Sequence, residues 1–279
     1  MRSRFARFFF VNLGSLLGVV AYATTLDRAG HTPDGVRRAI PVALAVHLSY
    51  VALARRAGEL KQFDAGFFAL FAAGALALAL GWTPVVDLFA RQSSALVFTA
   101  LALTAFVPLA AGREPFTLYF ARLQTPAWQQ RLPEFGSVVR AIALWWGLLF
   151  AAGASLCAWA PSDPLFTFVY PNLLVLVAGF SANWWFPPLY FRVYPPSPPD
   201  RAEAAILGMP MVYDRRAAGG RRATIQFVVT GDEPGEYAVR IDGRRCRSEE
   251  GRAEAPDLTI TTPGDVWLRV TRGEVDGGE

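Results

Sequence analysis

Six long apolar runs dominate the first two thirds of the chain, at residues 8–26, 39–54, 65–82, 93–112, 138–160 and 166–188. A helix needs about 20 mostly apolar residues to cross a bilayer. Hydrogen-bonded helices and closed barrels are the only backbones that satisfy their own polar groups there. The run at 39–54 is short and must borrow length from its flanks; the others suffice. The expected count is about six spans, with five and seven as neighbouring alternatives. Residues 8–26 also fit a cleavable signal peptide, because Ala21, Tyr22 and Ala23 have the small-x-small cleavage pattern. The further runs that follow favour a retained first helix. Gly14 and Gly18 in that run are spaced to let two helix backbones approach closely.

Charge separates the chain into two halves. Residues 1–192 carry 15 basic and 8 acidic side chains (+7), whereas residues 193–279 carry 12 and 15 (−3). The basic excess therefore belongs to the apolar half. It suits loops that face anionic lipid better than nucleic acid, since no basic stripe interleaved with aromatics occurs downstream. With the N-terminus inside, eleven basic residues fall on the cytoplasmic side: Arg2, Arg4, Arg7, Arg55, Arg56, Lys61, Arg113, Arg122, Arg131, Arg140 and Arg192. Four fall opposite: Arg28, Arg37, Arg38 and Arg91. The positive-inside rule then puts both termini in the cytoplasm.

Polar groups inside spans are the default functional candidates, because burying them in hydrocarbon is costly. His47 lies in the second run; it is either hydrogen-bonded to a neighbouring helix or a proton carrier. Asn172 and Asn183 are eleven residues apart, close to three α-helical turns, and are expected on one face of the last helix, bonding to a neighbour. Asp87 and Arg91 have ion-pair spacing. No span carries the facing acidic groups of a proton-driven carrier, so transport through His47, Asn172 and Asn183 ranks last among the functions considered. In the loop at 113–137, Phe116, Tyr119, Phe120 and Leu123 mark one helical face. With Arg113 and Arg122 at its ends, that helix is expected to lie in the interface and meet lipid headgroups.

The order of features in this half resembles the intracellular septation protein A family of bacterial inner-membrane proteins. The resemblance rests on a Phe-rich start with Asn12, Arg113 to Phe116, Leu132 and Pro133, Trp145 and Trp146, Trp159, and the turn at Pro161 to Pro164. It covers most of residues 5–191. It implies an inner-membrane, envelope-associated protein and brings no catalytic residues.

Residues 181–200 mark the exit from the bilayer. Trp184, Trp185 and Tyr190 suit the membrane–water interface, and Pro195, Pro196, Pro198 and Pro199 form a stiff spacer. Residues 1–192 are thus read as the transmembrane domain and 193–207 as a Pro-rich linker with a short helix at 202–207 capped by Asp200. Residues 208–279 form a small α+β domain. There Ile225, Phe227 and Val229 alternate with polar residues, as do Tyr237, Val239 and Ile241, the period of half-buried strands. The turn at 232–235, the Asp242-Gly243 hairpin signal, a polar third strand at 244–249 and a fourth at 257–262 complete a sheet. Thr262 reads as the N-cap of a final helix beginning at Pro263, with Gly273 at its end.

Gly208, Met209 and Pro210, the segment 223–227, the segment 255–260, Asp265 to Trp267, and Gly273 to Asp276 together resemble the sterol carrier protein domain. That resemblance implies a curved sheet and helices closing an apolar tunnel for acyl chains or sterols, with no covalent chemistry. The fold class expected is therefore a multi-span α-helical membrane domain followed by a small α+β domain of lipid-binding type. Ile225, Phe227, Val229, Tyr237, Val239, Ile241, Leu258, Ile260 and Trp267 are the lipid-binding candidates; Arg113, Arg122, Trp184 and Trp185 are the headgroup and interface candidates. The same apolar residues would equally fill a small solid core. The family's sheet continues beyond the position of Glu279, so an open edge is expected, covered by a second copy, another partner or the membrane.

No nucleotide-binding glycine pattern occurs, and two histidines and two scattered cysteines, Cys157 and Cys246, offer no zinc site. No cofactor, nucleic acid or enzymatic activity is expected. Lipid binding beside the membrane is the first expectation. A structural or interaction protein of the envelope, with a degenerate docking domain, is the alternative.

Overall fold

The computed structural model describes residues 14–58, 60–125, 127–194, 198–214, 216–243 and 245–275, apart from the side chains of Pro133, Asn183, Trp184, Pro188 and Phe191. The start of the first apolar run, with Arg2, Arg4, Arg7 and Asn12, lies outside the described residues. So do Pro195, Pro196, Arg244 and Asp276 to Glu279.

Two compact units divide the chain: Met1–Ala121 with Val138–Val193, and Arg122–Ser137 with Tyr194–Glu279. In the first, a 3₁₀ turn at Gly14–Leu16 leads into α1 (Leu17–Ala29), followed by α2 (Pro33–Ala57), α3 (Gln62–Ala79), α4 (Thr83–Arg91) and α5 (Ser93–Ala110). Then come α6 (Thr117–Gln124), α7 (Ala127–Gln130) and α8 (Pro133–Trp159). The last apolar run forms π-helical turns at Leu165–Val169 and Val175–Gly179 around α9 (Tyr170–Leu174), and continues as α10 (Phe180–Val193).

Among the described residues, five helices are long and apolar enough to cross a membrane: Pro33–Ala57, Gln62–Ala79, Ser93–Ala110, Glu134–Trp159 and Leu165–Ala182. The chain has the build of a multi-pass membrane protein. Leu76, Leu103, Leu148, Phe168, Leu176 and Val177 point outward from these helices, an arrangement costly in water and natural against lipid tails. The described part of the first run, α1, is 13 residues. The second span is not short. Thr32 Oγ1 accepts from the Gly35 N–H (3.2 Å), Pro33 occupies the first turn, and the helix continues through Arg55 and Arg56.

Two apolar cores organise this unit. One joins α1 to α4 around Leu26, Ile40, Phe67, Phe71 and Phe89, with the Tyr22 hydroxyl donating to the Phe89 carbonyl at 2.8 Å. The other joins α5, α8 and the last helix around Phe98, Ala105, Phe150 and Cys157. The pair expected between Asp87 and Arg91 does not form; no ion pair among the described residues involves either.

In the second unit, α11 (Ala202–Leu207) and α12 (Met209–Val212) precede β1 (Arg222–Thr230), β2 (Gly235–Asp242), β3 (Cys246–Glu250), β4 (Leu258–Pro263) and α13 (Gly264–Thr271). The sheet order is β3-β2-β1-β4. β1, β2 and β3 form an antiparallel meander, and β4 returns parallel to β1. Gly243 (φ 78°) turns the second hairpin, where the Arg245 N–H donates to Asp242 Oδ1 at 2.9 Å. Two predicted caps are corrected. Arg201, not Asp200, stands at the N-cap of α11, one residue nearer the helix than the acid that could have capped it. Thr262 remains in β4, and Pro263, still extended, is the N-cap of α13.

Candidate functional site

The strand registers put the predicted apolar residues on one face. Ile225 stands opposite Val239, Phe227 opposite Tyr237 and Ala223 opposite Ile241, while Leu258 and Ile260 pair with Ile225 and Phe227 from the other side. Because side chains alternate along a strand, these contributions line up in one layer. Phe227, Val229, Tyr237 and Val239 are buried there with Ala202, Ile206 and Leu207 of α11; Ile225, Ile260 and Trp267 pack against them half-buried. Ile241 is half-buried and Leu258 is 52 % exposed, at the margin of the layer. The Trp267 ring meets Phe227 at a centroid distance of 4.9 Å, inclined by 60°. No residue of α13 is fully buried. The Trp267 indole N–H and the Tyr213 hydroxyl sit out of solvent with no hydrogen-bond partner. Burial raises the Tyr237 phenol pKa, helped by the charges of Glu203, Glu250 and Glu233 and opposed by Arg131; burial also raises the Cys246 thiol.

The opposite face of the sheet is covered too. Gln226 is buried there, its Oε1 accepting from the Ala253 N–H at 2.7 Å and its amide donating to the Phe227 carbonyl at 3.1 Å. The segment linking β3 to β4 is thereby held across the sheet.

One contributor to this unit was not foreseen. Trp128 of α7 packs against the apolar layer. One guanidinium nitrogen of Arg131 donates to both Glu203 carboxylate oxygens, at 3.0 and 2.7 Å. Residues 122–137 thus belong with the sheet, although their neighbours on either side in sequence are helices of the first unit. The sequence signal for this was Trp128 itself, a large aromatic in a polar loop.

Among the intramembrane candidates, His47 is wholly buried and its Nε2 lies 2.8 Å from the Asp64 backbone carbonyl of α3. Other polar groups lie near it in the fold. Asp64 is 2 % exposed, and its Oδ2 accepts from the Lys61 backbone N–H at 2.8 Å. Lys61 Nζ is 3.4 Å from both Ser15 Oγ and Tyr50 Oη. The ring of His47 is flanked by Tyr50, Phe67 and Phe71. Gly18 of α1 abuts it; a Cβ there would lie 2.9 Å from His47 Cβ and from Phe71.

Asn172 bonds within its own helix, Nδ2 donating to the Phe168 carbonyl at 2.6 Å, rather than to a neighbour. Two π turns interrupt the 3.6-residue period between positions 172 and 183 or just before it, so the eleven-residue spacing no longer implies a shared face. The Asn183 and Trp184 side chains lie outside the described residues. Trp185 is partly exposed; it donates to Ser181 Oγ (3.3 Å) and packs edge-on against Trp145.

Arg113 and Arg122 are exposed, but the helix between them does not present its apolar stripe outward. Phe116 is buried 4.6 Å from Phe63, and Phe120 packs on the same core, while Leu123 is exposed. The interior of the bundle captured the aromatic face assigned to the lipid interface.

No family model matches the chain, and no curated protein or solved structure matches it.

Proposed function

We propose that this protein is a multi-pass protein of the bacterial inner membrane whose α+β unit, on the cytoplasmic side, binds acyl or sterol-type lipid beside the bilayer. The observation that carries the reading is the seating of α13. Its Trp267 covers Phe227, yet the helix buries no residue completely, and the indole N–H has no acceptor. A buried unpaired donor is costly, and an apolar layer under a lightly held helix suits a guest with a long apolar body and one accepting polar end. Exposed Leu258, Met211 and Val212 extend the apolar surface beyond the layer.

Sidedness has support beyond the charge count. Residues 122–137 and 194–279 belong to one compact unit, and two candidate spans lie between them in sequence, the number that returns a chain to the side it left. That side carries Arg113, Arg122, Arg131, Arg140 and Arg192, as the positive-inside rule requires of cytoplasmic segments. Tethering then raises the binding unit's effective concentration at the membrane.

A second reading, an envelope docking module, draws on how completely Phe227, Val229 and Val239 are already packed and on β4, which pairs only with β1 among the described strands. Displacement of a fluorescent fatty acid from the purified full chain separates the two. Lipid binding predicts saturable, stoichiometric uptake that Trp267→Phe weakens by roughly five- to tenfold, the worth of one hydrogen bond. Absence of uptake, with no lipid co-purifying, refutes it in favour of docking.

A further inference from the structure

Charge is sorted within the sheet unit. Two segments, 213–222 and 242–247, hold seven of the 12 arginines of residues 193–279 but two of its 15 acids, Asp214 and Asp242. The fold brings these segments together at one end of the sheet. Arg222 opens β1 opposite Asp242 of β2, and a Cβ on Gly243 would stand 2.8 Å from the Gly220 carbonyl oxygen. The first segment is an ordered turn: Asp214 Oδ1 accepts from the Arg216 N–H at 2.7 Å, and the Arg221 N–H donates to the Ala218 carbonyl at 3.0 Å. Arg247 of β3 stands opposite Arg240 of β2, a like-charge pairing that costs stability. Glu249 meets Arg240 at 2.8 Å and does nothing for Arg247. Arg216, Arg221, Arg222, Arg245 and Arg247 are exposed, and none forms an ion pair among the described residues. So many gathered cations repel one another until an anion meets them.

We propose that this end of the sheet unit is a docking surface for the anionic phospholipid headgroups of the membrane in which the chain is anchored. The choice of occupant rests on what borders the arginines. α12 packs beside β3 and runs directly into the first segment. It leaves Met211 56 % and Val212 83 % exposed. Aliphatic side chains next to arginines match the layering of a bilayer surface, phosphates outside and acyl chains beneath. A single-stranded nucleic acid would call for rings that stack on its bases, and the turn instead carries Ala217, Ala218, Gly219 and Gly220. The forked guanidinium suits a phosphate, to which it donates two parallel bonds. Each arginine at an anionic surface is worth about fivefold in binding, and tethering keeps the unit beside that surface. This docking does not depend on whether the apolar layer under α13 takes up a lipid.

Hydrogen exchange read by mass spectrometry tests the docking on the full chain in nanodiscs. Discs of phosphatidylcholine alone are compared with discs of equal parts phosphatidylcholine and phosphatidylglycerol. Peptides from 213–222 and 242–247 are expected to exchange at least about fivefold more slowly in the anionic discs, and raising salt from about 0.05 to 0.5 M should remove the difference. The exposed triple substitution Arg216→Gln, Arg221→Gln and Arg245→Gln should abolish the slowing. Arg252→Gln, Arg269→Gln and Arg272→Gln together make the same change in charge elsewhere on the unit and should keep it. Val212→Ser should reduce it by at least about twofold, through the lost apolar contact. Exchange of the β1 peptide 225–230 identifies the variants that remain folded. Equal exchange in the two kinds of disc overturns the proposal, as does slowing that the folded control triple abolishes just as fully or that Val212→Ser leaves unchanged. Protection of the same peptides by single-stranded RNA or inorganic phosphate in phosphatidylcholine discs, with none from phosphatidylglycerol, overturns it in favour of a soluble anion.

Discussion

Truncating Arg131 tests whether residues 122–137 are held to the sheet unit in solution. Its guanidinium reaches both Glu203 oxygens, but the two side chains are unequally covered, at 54 and 14 % exposure. Exposed pairs couple by about 0.2–1 kcal/mol. The covered carboxylate places this one at the top of that range, about 1 kcal/mol, or roughly fivefold in a local opening constant. The single variants should differ. Arg131→Ala strands a covered carboxylate and costs about 1.5 kcal/mol, whereas Glu203→Ala frees an arginine that water can solvate and costs about 1 kcal/mol. Hydrogen exchange read by mass spectrometry on peptides from β1 and β2, for the full chain and the two single and one double variants, gives the cycle directly. The coupling should weaken as salt is raised, because half of the pair is exposed. A coupling below about 0.2 kcal/mol at low salt would refute the attachment.

The Tyr237 phenol pKa is raised in the folded unit, so the unfolded chain ionises first. The stability it contributes is complete below the ordinary tyrosine value and is lost as pH rises through the folded value; alkaline melts should show this above about pH 10, and Tyr237→Phe should flatten it. Gly18→Val forces side-chain carbon into His47 and Phe71 and should cost about 2–3 kcal/mol in thermal unfolding. By contrast Gly136→Ala, with open space around it, should be neutral or slightly stabilising. Gln226→Leu removes the acceptor of the Ala253 N–H and should destabilise the unit by about 2 kcal/mol, seen as faster tryptic cleavage after Arg252.

Hydropathy alone located all five candidate spans, because a bilayer-length apolar run leaves the backbone little choice. It missed what departs from a regular helix. Pro171 has no N–H to give the Thr167 carbonyl four residues back. The chain widens into π turns beside it, and Cys157 Sγ approaches that carbonyl at 3.8 Å. Further along, Trp145 donates to the Ala178 carbonyl at 3.1 Å in the second π turn. Period arguments for Asn172 fail for this local reason. The strand faces were legible because a period of two survives small errors in the ends. The caps were not, since Asp200 and Thr262 each lie one residue from where a cap would have to be. Lys61 enters the sequence argument only as a cytoplasmic basic charge and Asp64 not at all; the clue to their role is a three-residue spacing at a helix start, which lets Asp64 accept from the Lys61 N–H.

The glycine pair of the first helix joins packing to chemistry. Read from sequence, Gly14 and Gly18 say only that two backbones approach closely. In the folded unit they abut Tyr50 and His47, residues of a polar cluster in the bundle core that includes Ser15, Lys61 and Asp64. Any larger side chain at either position would hold α1 away and admit lipid or water to the cluster. With hydrogen in place of Cβ, Ser15 is brought to Lys61 and the imidazole is sealed between α1 and the rings of Phe67 and Phe71. Charges so enclosed act on one another with far less screening than at a surface. The small residues therefore do more than permit contact: by excluding solvent they leave the polar groups of the cluster to bond to one another, as the His47 ring does to the Asp64 carbonyl and the Lys61 ammonium to Ser15 and Tyr50.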